Sequence, residues 1–282
     1  MQLVDFQNSE GYFAIAPFDH RSSLAQTLHL DLKIPADQEK FIALKRLFIK
    51  IFSPHVSAVL TDPEFGIQTL EDKAPKCGLF LSVEESGYSG DHDAMTILKK
   101  DWGIDQVKEH GAGAKLLVYF NPQSATANSK LELVRKLFVE CKDKEVVFLV
   151  EPVLYAVPDK KEWEAELDAA WSKIYVEVCK SMAPFCDILK IQYPGSQEAC
   201  AEVSTFHKNW ILLSRGVDFE TFCTYLTIAV RQGCKGYAAG RAVWQELSQW
   251  NTPEEWKTFL ETTAVDRLKK LNEILKTATL IA

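Results

Sequence analysis

Cys186-Asp187-Ile188-Leu189-Lys190-Ile191-Gln192-Tyr193-Pro194 is a short apolar run with a lysine at its centre. Read as a strand, it surrounds that amine with groups that cannot solvate it, and burial disfavours the charged form. The amine can shed its proton and become a nucleophile, or it can pair with a carboxylate. Seven further runs share its character, at 12–17, 57–62, 78–84, 112–119, 146–151, 210–214 and 236–239, with the lysine-bearing run itself at 187–192. They are short and nearly continuously apolar, as parallel strands covered on both faces are. Between them, apolar residues recur at helical spacing over 36–52, 130–141, 163–182, 197–207 and 219–232. The connection after the third run is less regular, and its 86–92 stretch, rich in Gly, Ser and Asp, reads as a loop.

Eight strands with helical crossovers predict an α/β protein, a closed (β/α)8 TIM barrel formed by the whole of 1–282 as one domain. An open doubly wound sheet lacks support. Gly111-Ala112-Gly113 precedes a strand instead of opening a helix, and no phosphate-binding P-loop occurs. An extra C-terminal helix spans about 253–279. Thr252-Pro253-Glu254-Glu255 supplies its N-cap, an N1 proline and a capping-box glutamate. Trp256, Leu260, Ala264, Leu268, Leu271 and Leu275 form its apolar stripe, which packs on the barrel or serves as the interface of a homo-oligomer.

The 282 residues suit a barrel, since such domains run to ~250 residues. A net charge of −7 offers no footprint for nucleic acid and no attraction to an anionic membrane. No apolar stretch approaches the ~20 residues that span a bilayer, and the first residues lack the character of a signal peptide. Seven cysteines without Cys-x-x-Cys spacing read as reduced, buried thiols. Together these features predict a cytoplasmic protein.

In a barrel, polar residues at the carboxyl ends of strands point into the active site. Here every such end is polar. Lys190 and Lys115 both sit inside strands, and Glu151 ends the strand between them. A second ammonium near Lys190 would lower its pKa. Lys190 is therefore the candidate nucleophile toward a ketone, and Glu151 the candidate proton shuttle. Asp19 accepts hydrogen bonds from a substrate hydroxyl or pairs with Arg21. His20, Arg21 and Gln192 complete the substrate-facing candidates. Ser214-Arg215-Gly216 and Gly240-Arg241 end the last two strands, where barrels commonly bind phosphate. Glycine permits close backbone approach there, and arginine grips an anion bidentately; the alternative is a turn glycine at 240 and a surface cation at 241.

Metal catalysis is the competing chemistry. Of the histidines at 20, 29, 55, 92, 110 and 207, only His20 falls at a strand end, so a zinc site is poorly supplied. A magnesium site from Asp19, Glu84 and Glu151 stays open.

The strand ends resemble, in order, those of the class I tagatose 1,6-bisphosphate aldolases. Sulfofructose-phosphate aldolase and the aldolase-like domain attached to some 5-dehydro-2-deoxygluconokinases are relatives of that family. The resemblance runs from Phe13 to Trp244. Its segments are Phe18-Asp19-His20-Arg21, Thr61-Asp62-Pro63-Glu64-Phe65-Gly66, Glu84-Glu85-Ser86-Gly87-Tyr88, Lys115-Leu116-Leu117-Val118-Tyr119, Glu151-Pro152-Val153-Leu154-Tyr155, Asp187-Ile188-Leu189-Lys190, Leu213-Ser214-Arg215-Gly216-Val217 and Gly240-Arg241-Ala242-Val243-Trp244. It implies a Schiff-base aldolase that cleaves a phosphorylated ketose without cofactor or metal. It also implies Lys190 as the Schiff-base lysine, Glu151 as proton shuttle, Asp19 and Lys115 in contact with substrate, and Ser214 and Arg241 at a phosphate or sulfonate end. Two positions depart from the family: Gln192 replaces its usual glutamate, and His20 its usual glutamine. The other classes left open are a catalytically silent sugar-phosphate-binding barrel with a regulatory role and a metal-dependent lyase. Cleavage activity is expected to persist undiminished in EDTA; activity lost to the chelator and restored by a divalent ion would displace the lysine mechanism.

Overall fold

In chain order the elements are β1 (Phe13–Pro17), α1 (Ser22–Thr27), α2 (Pro35–Phe52), β2 (Ala58–Thr61), β3 (Gly78–Ser82), α3 (Ile104–Glu109), β4 (Gly113–Tyr119), α4 (Ala127–Asp143), β5 (Phe148–Val153), α5 (Trp163–Met182), β6 (Ile188–Ile191), α6 (Gln197–Phe206), β7 (Trp210–Leu213), α7 (Phe219–Arg231), β8 (Gly236–Ala238) and α8 (Arg241–Trp244). This computed structural model describes residues 2–85, 91–155, 163–250 and 252–279, with backbone alone over 163–169 and at 279. Residues 86–90 of the loop expected at 86–92 lie outside the described residues.

The eight strands are all parallel and close into a barrel, β1 pairing with both β2 and β8. Followed once around the barrel from Ile15, the pairing returns to β1 eight residues before it started, the stagger of a TIM barrel. The sequence pattern forces this architecture. Strand residues of one parity face the surrounding helices and join the large core cluster, while the other parity fills the barrel interior. Phe13, Ile15, Leu60, Phe80, Leu149 and Ile188 make that interior, and Phe6 seals its lower end against the Phe80 ring, with centroids 4.3 Å apart.

Two expected features differ. The connection from β2 to β3 carries a 3-10 segment (Ile67–Asp72) instead of a helix. β3 ends at Ser82, short of the expected 84, because Glu84 forms an antiparallel bridge with Leu98. The 96–99 stretch thus lies across the end of β3, with Glu85 donating to the Ile97 carbonyl at 2.8 Å and Lys99 to that of Val83 at 2.9 Å.

The tail forms α9 (Pro253–Phe259) and α10 (Val265–Thr279), joined by one π-helical stretch (Leu260–Ala264). Its expected capping box is present: Thr252 Oγ1 accepts from the Glu255 N–H, and Glu255 Oε2 accepts from the Thr252 N–H. All six residues of the apolar stripe are buried, and α10 packs on α7. Among the described residues, no helix is long and apolar enough to cross a membrane. All seven cysteines are free and buried.

Gly236 closes the ring. Its φ is +149°, and a Cβ there would lie 1.9 Å from the Phe13 carbonyl oxygen on β1. A side chain at this point pushes β8 off β1. Gly236→Ala is expected to cost more than about 4 kcal/mol of stability in denaturant titration; a variant as stable as the parent would disprove the β8–β1 closure.

Candidate active site

Strand parity turns the lysines inward, and the strand register brings them together. Residues 113 and 115 on β4, 149 and 151 on β5, and 188 and 190 on β6 alternate with outward-facing neighbours, so Lys115, Glu151 and Lys190 share the interior. Ser82 is paired with Lys115, and Glu84 continues the same face two residues on. Asp19 does likewise beyond Pro17. The result is a cluster of three carboxylates and two ammoniums at the upper mouth of the barrel, beside a cavity of about 490 Å³. All five residues line that cavity, as do His20, Arg21, His92 and Tyr119. A larger groove of about 690 Å³ runs between α2 and α9, but none of the cluster lines it.

Lys190 is only 4 % exposed. Its Nζ donates to Glu151 Oε2 at 2.8 Å. Of the two states open to a buried lysine from sequence, the geometry has the one paired with a carboxylate, and that carboxylate is the glutamate expected beside it. Lys115 is the hub. Its Nζ donates to Asp19 Oδ2 at 2.7 Å and Glu84 Oε1 at 2.5 Å, and lies 3.5 Å from the same Glu151 Oε2. One glutamate oxygen therefore sits between two lysines.

The electrostatics follow from this packing. Burial presses the Lys115 pKa down, but Asp19, Glu84 and Glu151 more than offset it and hold it well above its usual value. Burial pushes Glu151 up, yet Lys190 and Lys115 bring it below the ordinary glutamate value. Asp19 is likewise lowered against its own burial, by Lys115, Lys190 and His20. Lys115 is thus no free ammonium acting on Lys190; its charge is matched by carboxylates. The three acidic groups considered as magnesium ligands converge on this ammonium instead. Among the described residues, no group of three or more His, Cys, Asp or Glu is arranged to hold a metal ion.

Asp19 does not pair with Arg21. The Arg21 guanidinium turns to the Glu84 carbonyl at 2.8 Å and to Glu64 at 3.4 Å, bracing the ends of β1, β2 and β3 while still edging the cavity. His20 sits edge-on to Trp244, with ring centroids 5.3 Å apart, and its buried Nδ1 has no hydrogen-bond partner. Burial, against the pull of Asp19 and with Arg241, Lys45 and Lys190 nearby, pushes its pKa down to about 4.

Gln192, Ser214, Arg215, Gly216, Gly240 and Arg241 gather as a second patch where β6, β7 and β8 end. Arg215 donates to the Gln192 side-chain oxygen. Gly216 has φ +84°, and a Cβ there would stand 3.1 Å from the Arg241 guanidinium carbon; its absence lets that side chain lie against backbone. Gly240 is close to Pro17 and to the His20 ring. Ser214 is buried, whereas both arginines are exposed. None of these six lines the cavity of the lysine cluster, so the patch adjoins it through His20.

Sequence reasoning undervalues Glu84, weighing it only as a magnesium ligand. Its place two residues past Ser82 on an inward-facing strand is the available signal. His92 is missed as well: its ring stacks on Tyr119 at 3.9 Å over the cavity mouth, on a loop whose course no local pattern reveals.

Fold and site together define a (β/α)8 barrel enzyme built on a buried lysine–carboxylate cluster. Residues 13–246 match the DeoC/LacD family aldolase, and the chain belongs to that family. It is an aldolase, a carbon–carbon lyase. It is 26 % identical over 315 residues to the tagatose 1,6-diphosphate aldolase of Staphylococcus haemolyticus, covering 98 % of this chain and 94 % of that one. It is 27 % identical over 319 residues to tagatose 1,6-diphosphate aldolase 2 of Streptococcus mutans, with coverage of 98 % and 93 %. Among solved structures, an archaeal fructose-1,6-bisphosphate aldolase carrying a carbinolamine intermediate on its catalytic lysine superposes with a TM-score of 0.65 at 14 % identity, covering 97 % of each chain.

The depressed His20 pKa has a stability consequence. The unfolded chain takes up the imidazole proton near pH 6.5 and the folded chain only near pH 4, so stability falls as pH drops between these values. Urea unfolding of His20→Gln is expected to lack this component, worth about 2 kcal/mol once discounted for the 27 % of the side chain open to solvent. Parallel pH profiles for parent and variant would refute it.

Proposed function

We propose that the protein is a Schiff-base aldolase acting on a phosphorylated ketose, with Lys190 as the lysine that carries the substrate. The observation that carries this reading is Glu151 Oε2, 2.8 Å from Lys190 and 3.5 Å from Lys115. A nucleophilic amine needs a base that can take its proton and return it, and this carboxylate is in place to do so.

Lys190 passes a proton to Glu151 and its free amine adds to the ketone carbon. The carbonyl oxygen becomes the hydroxyl of a carbinolamine. Glu151 returns the proton to that hydroxyl, water leaves, and an iminium forms. Glu151 then accepts the proton of the hydroxyl carried by the far carbon of the bond to be cleaved. The carbon–carbon pair flows into the iminium, an aldehyde departs, and an enamine is left on Lys190. Protonation of the enamine carbon and addition of water release the three-carbon ketone phosphate and regenerate the amine. The iminium is the electron sink, so the chemistry calls for no organic cofactor or metal. Asp19 and Lys115 hold substrate oxygens near the reacting bond, as does His20 at the cavity edge.

The patch of Gln192, Ser214, Arg215, Gly216, Gly240 and Arg241 would take a phosphate or sulfonate end. Two arginines beside a glycine-lined backbone suit such an anion, and the net charge of −7 means that a local cluster must supply the attraction. Tagatose 1,6-bisphosphate is the first substrate to try, given the names of the relatives. Sulfofructose phosphate and 5-dehydro-2-deoxygluconate 6-phosphate follow it.

Borohydride added during turnover is expected to fix a substrate-derived adduct on Lys190, identified by peptide mass. Lys190→Arg is expected to abolish both adduct and turnover, and Glu151→Gln to lower kcat by about 10²–10⁴-fold. Turnover surviving in Lys190→Ala, or an adduct on another lysine, would sink the assignment.

A further inference from the structure

Among the described residues, one ion pair is sealed from solvent altogether and takes part in no step above. Lys45 on α2 and Asp62 after β2 are both 0 % exposed, with Nζ and Oδ2 2.7 Å apart. The same ammonium donates to the carbonyl of His20 at 2.8 Å and to that of Phe18. All three of its donors are thereby used. Asp62 accepts, through Oδ1, the N–H groups of Glu64 at 3.0 Å and Phe65 at 2.8 Å.

Stability alone does not call for such a pair, because apolar residues of similar volume commonly fill a buried ionic site at little loss or with a gain. What only the ammonium supplies is a simultaneous grip on two carbonyls. Those carbonyls belong to the residues on either side of Asp19. The Phe18 carbonyl belongs to the peptide that enters Asp19 and the His20 carbonyl to the peptide that leaves His20, so the ammonium holds the Asp19–His20 segment at both ends, and in that held backbone the Asp19 carboxylate stands 2.7 Å from Lys115. The adjacent His20 side chain does not orient the carboxylate, since its Nδ1 is 3.9 Å from Asp19 Oδ1, outside hydrogen-bond range.

We propose that Lys45 is a positioning residue for the reaction, aiming Asp19 at Lys115 and the substrate through the Phe18 and His20 carbonyls. The inference rests on the reading of Asp19 as a substrate-contacting group in a Schiff-base site.

The test is a double-mutant cycle between Lys45 and Asp19. Lys45→Met with Asp62→Leu removes the pair while roughly keeping its volume. This variant is expected to fold, to form the borohydride adduct on Lys190, and to lose on the order of 10–100-fold in kcat with KM changed less than about threefold. Added to Asp19→Asn, the same replacement is expected to cost less than about twofold further. A purely structural role moves neither the split between kcat and KM nor the coupling to Asp19. Parental kcat in the Lys45–Asp62 variant, or an equal fold-loss with and without Asp19→Asn, overturns the proposal. If the apolar pair does not fold, Lys45→Gln, which keeps one amide donor, is judged by the same two criteria. Absence of an adduct in the parental protein overturns the Schiff-base reading and this inference with it. An adduct accompanied by independent losses overturns this inference alone.

Discussion

A charged lysine at the centre of three carboxylates organises the mouth of this barrel. Lys115 is 2 % exposed, and its ammonium meets Asp19 beyond β1, Glu84 beyond β3 and Glu151 on β5. An ammonium in so little water is tolerable only when every hydrogen is spoken for. The converse also holds: without Lys115, three acids would crowd a dry site and repel one another. From β4 the hub thus ties together groups at the ends of three other strands. It also sets the state of Glu151, which its two lysines keep ionised against the effect of burial.

Charge in the site is divided by depth. The lysine–carboxylate cluster is buried and nearly balanced, which suits proton transfer over short distances without solvent. The arginines at the ends of β7 and β8 are exposed and sit to one side. A substrate with an anionic end and a neutral, hydroxylated middle matches that division. Neutral His20 lies between the two regions, its pKa lowered by burial and by the cations around it. A permanent extra charge at that boundary would bias both.

The lower half of the barrel serves a different purpose. Phe6, Phe13, Phe80 and Ile188 are among the buried side chains that pack it, and Gly236 lets β8 approach β1 at a distance no side chain allows. This packed layer underlies the strands whose upper ends carry the lysine–carboxylate cluster. The pairing of Leu117 with Glu151 and of Lys190 with Ile211 follows from the same register that packs the apolar layers below. A slip of one residue would turn the lysines outward.

Much of this is legible in the chain itself. Eight apolar runs with amphipathic intervals dictate the barrel, because a helix-covered parallel sheet is the way to bury strands that are apolar on both faces. Lys190, Lys115 and Glu151 stand out because a charged residue in such a strand needs a partner, and the capping box at Thr252 fixes the last helix by local hydrogen bonding alone. Partner choice is not legible. Arg21 lies two residues from Asp19 in sequence yet turns to Glu64 and the Glu84 carbonyl, while Asp19 reaches across the barrel to Lys115. Glu84 stands out only as a metal ligand, and Lys45 looks like any lysine of an amphipathic helix until β1 and β2 close around it. Periodicity governs which face a residue occupies, and that is a property of its own segment. Which charges meet depends on the stagger and closure of eight strands, and only the folded barrel supplies those.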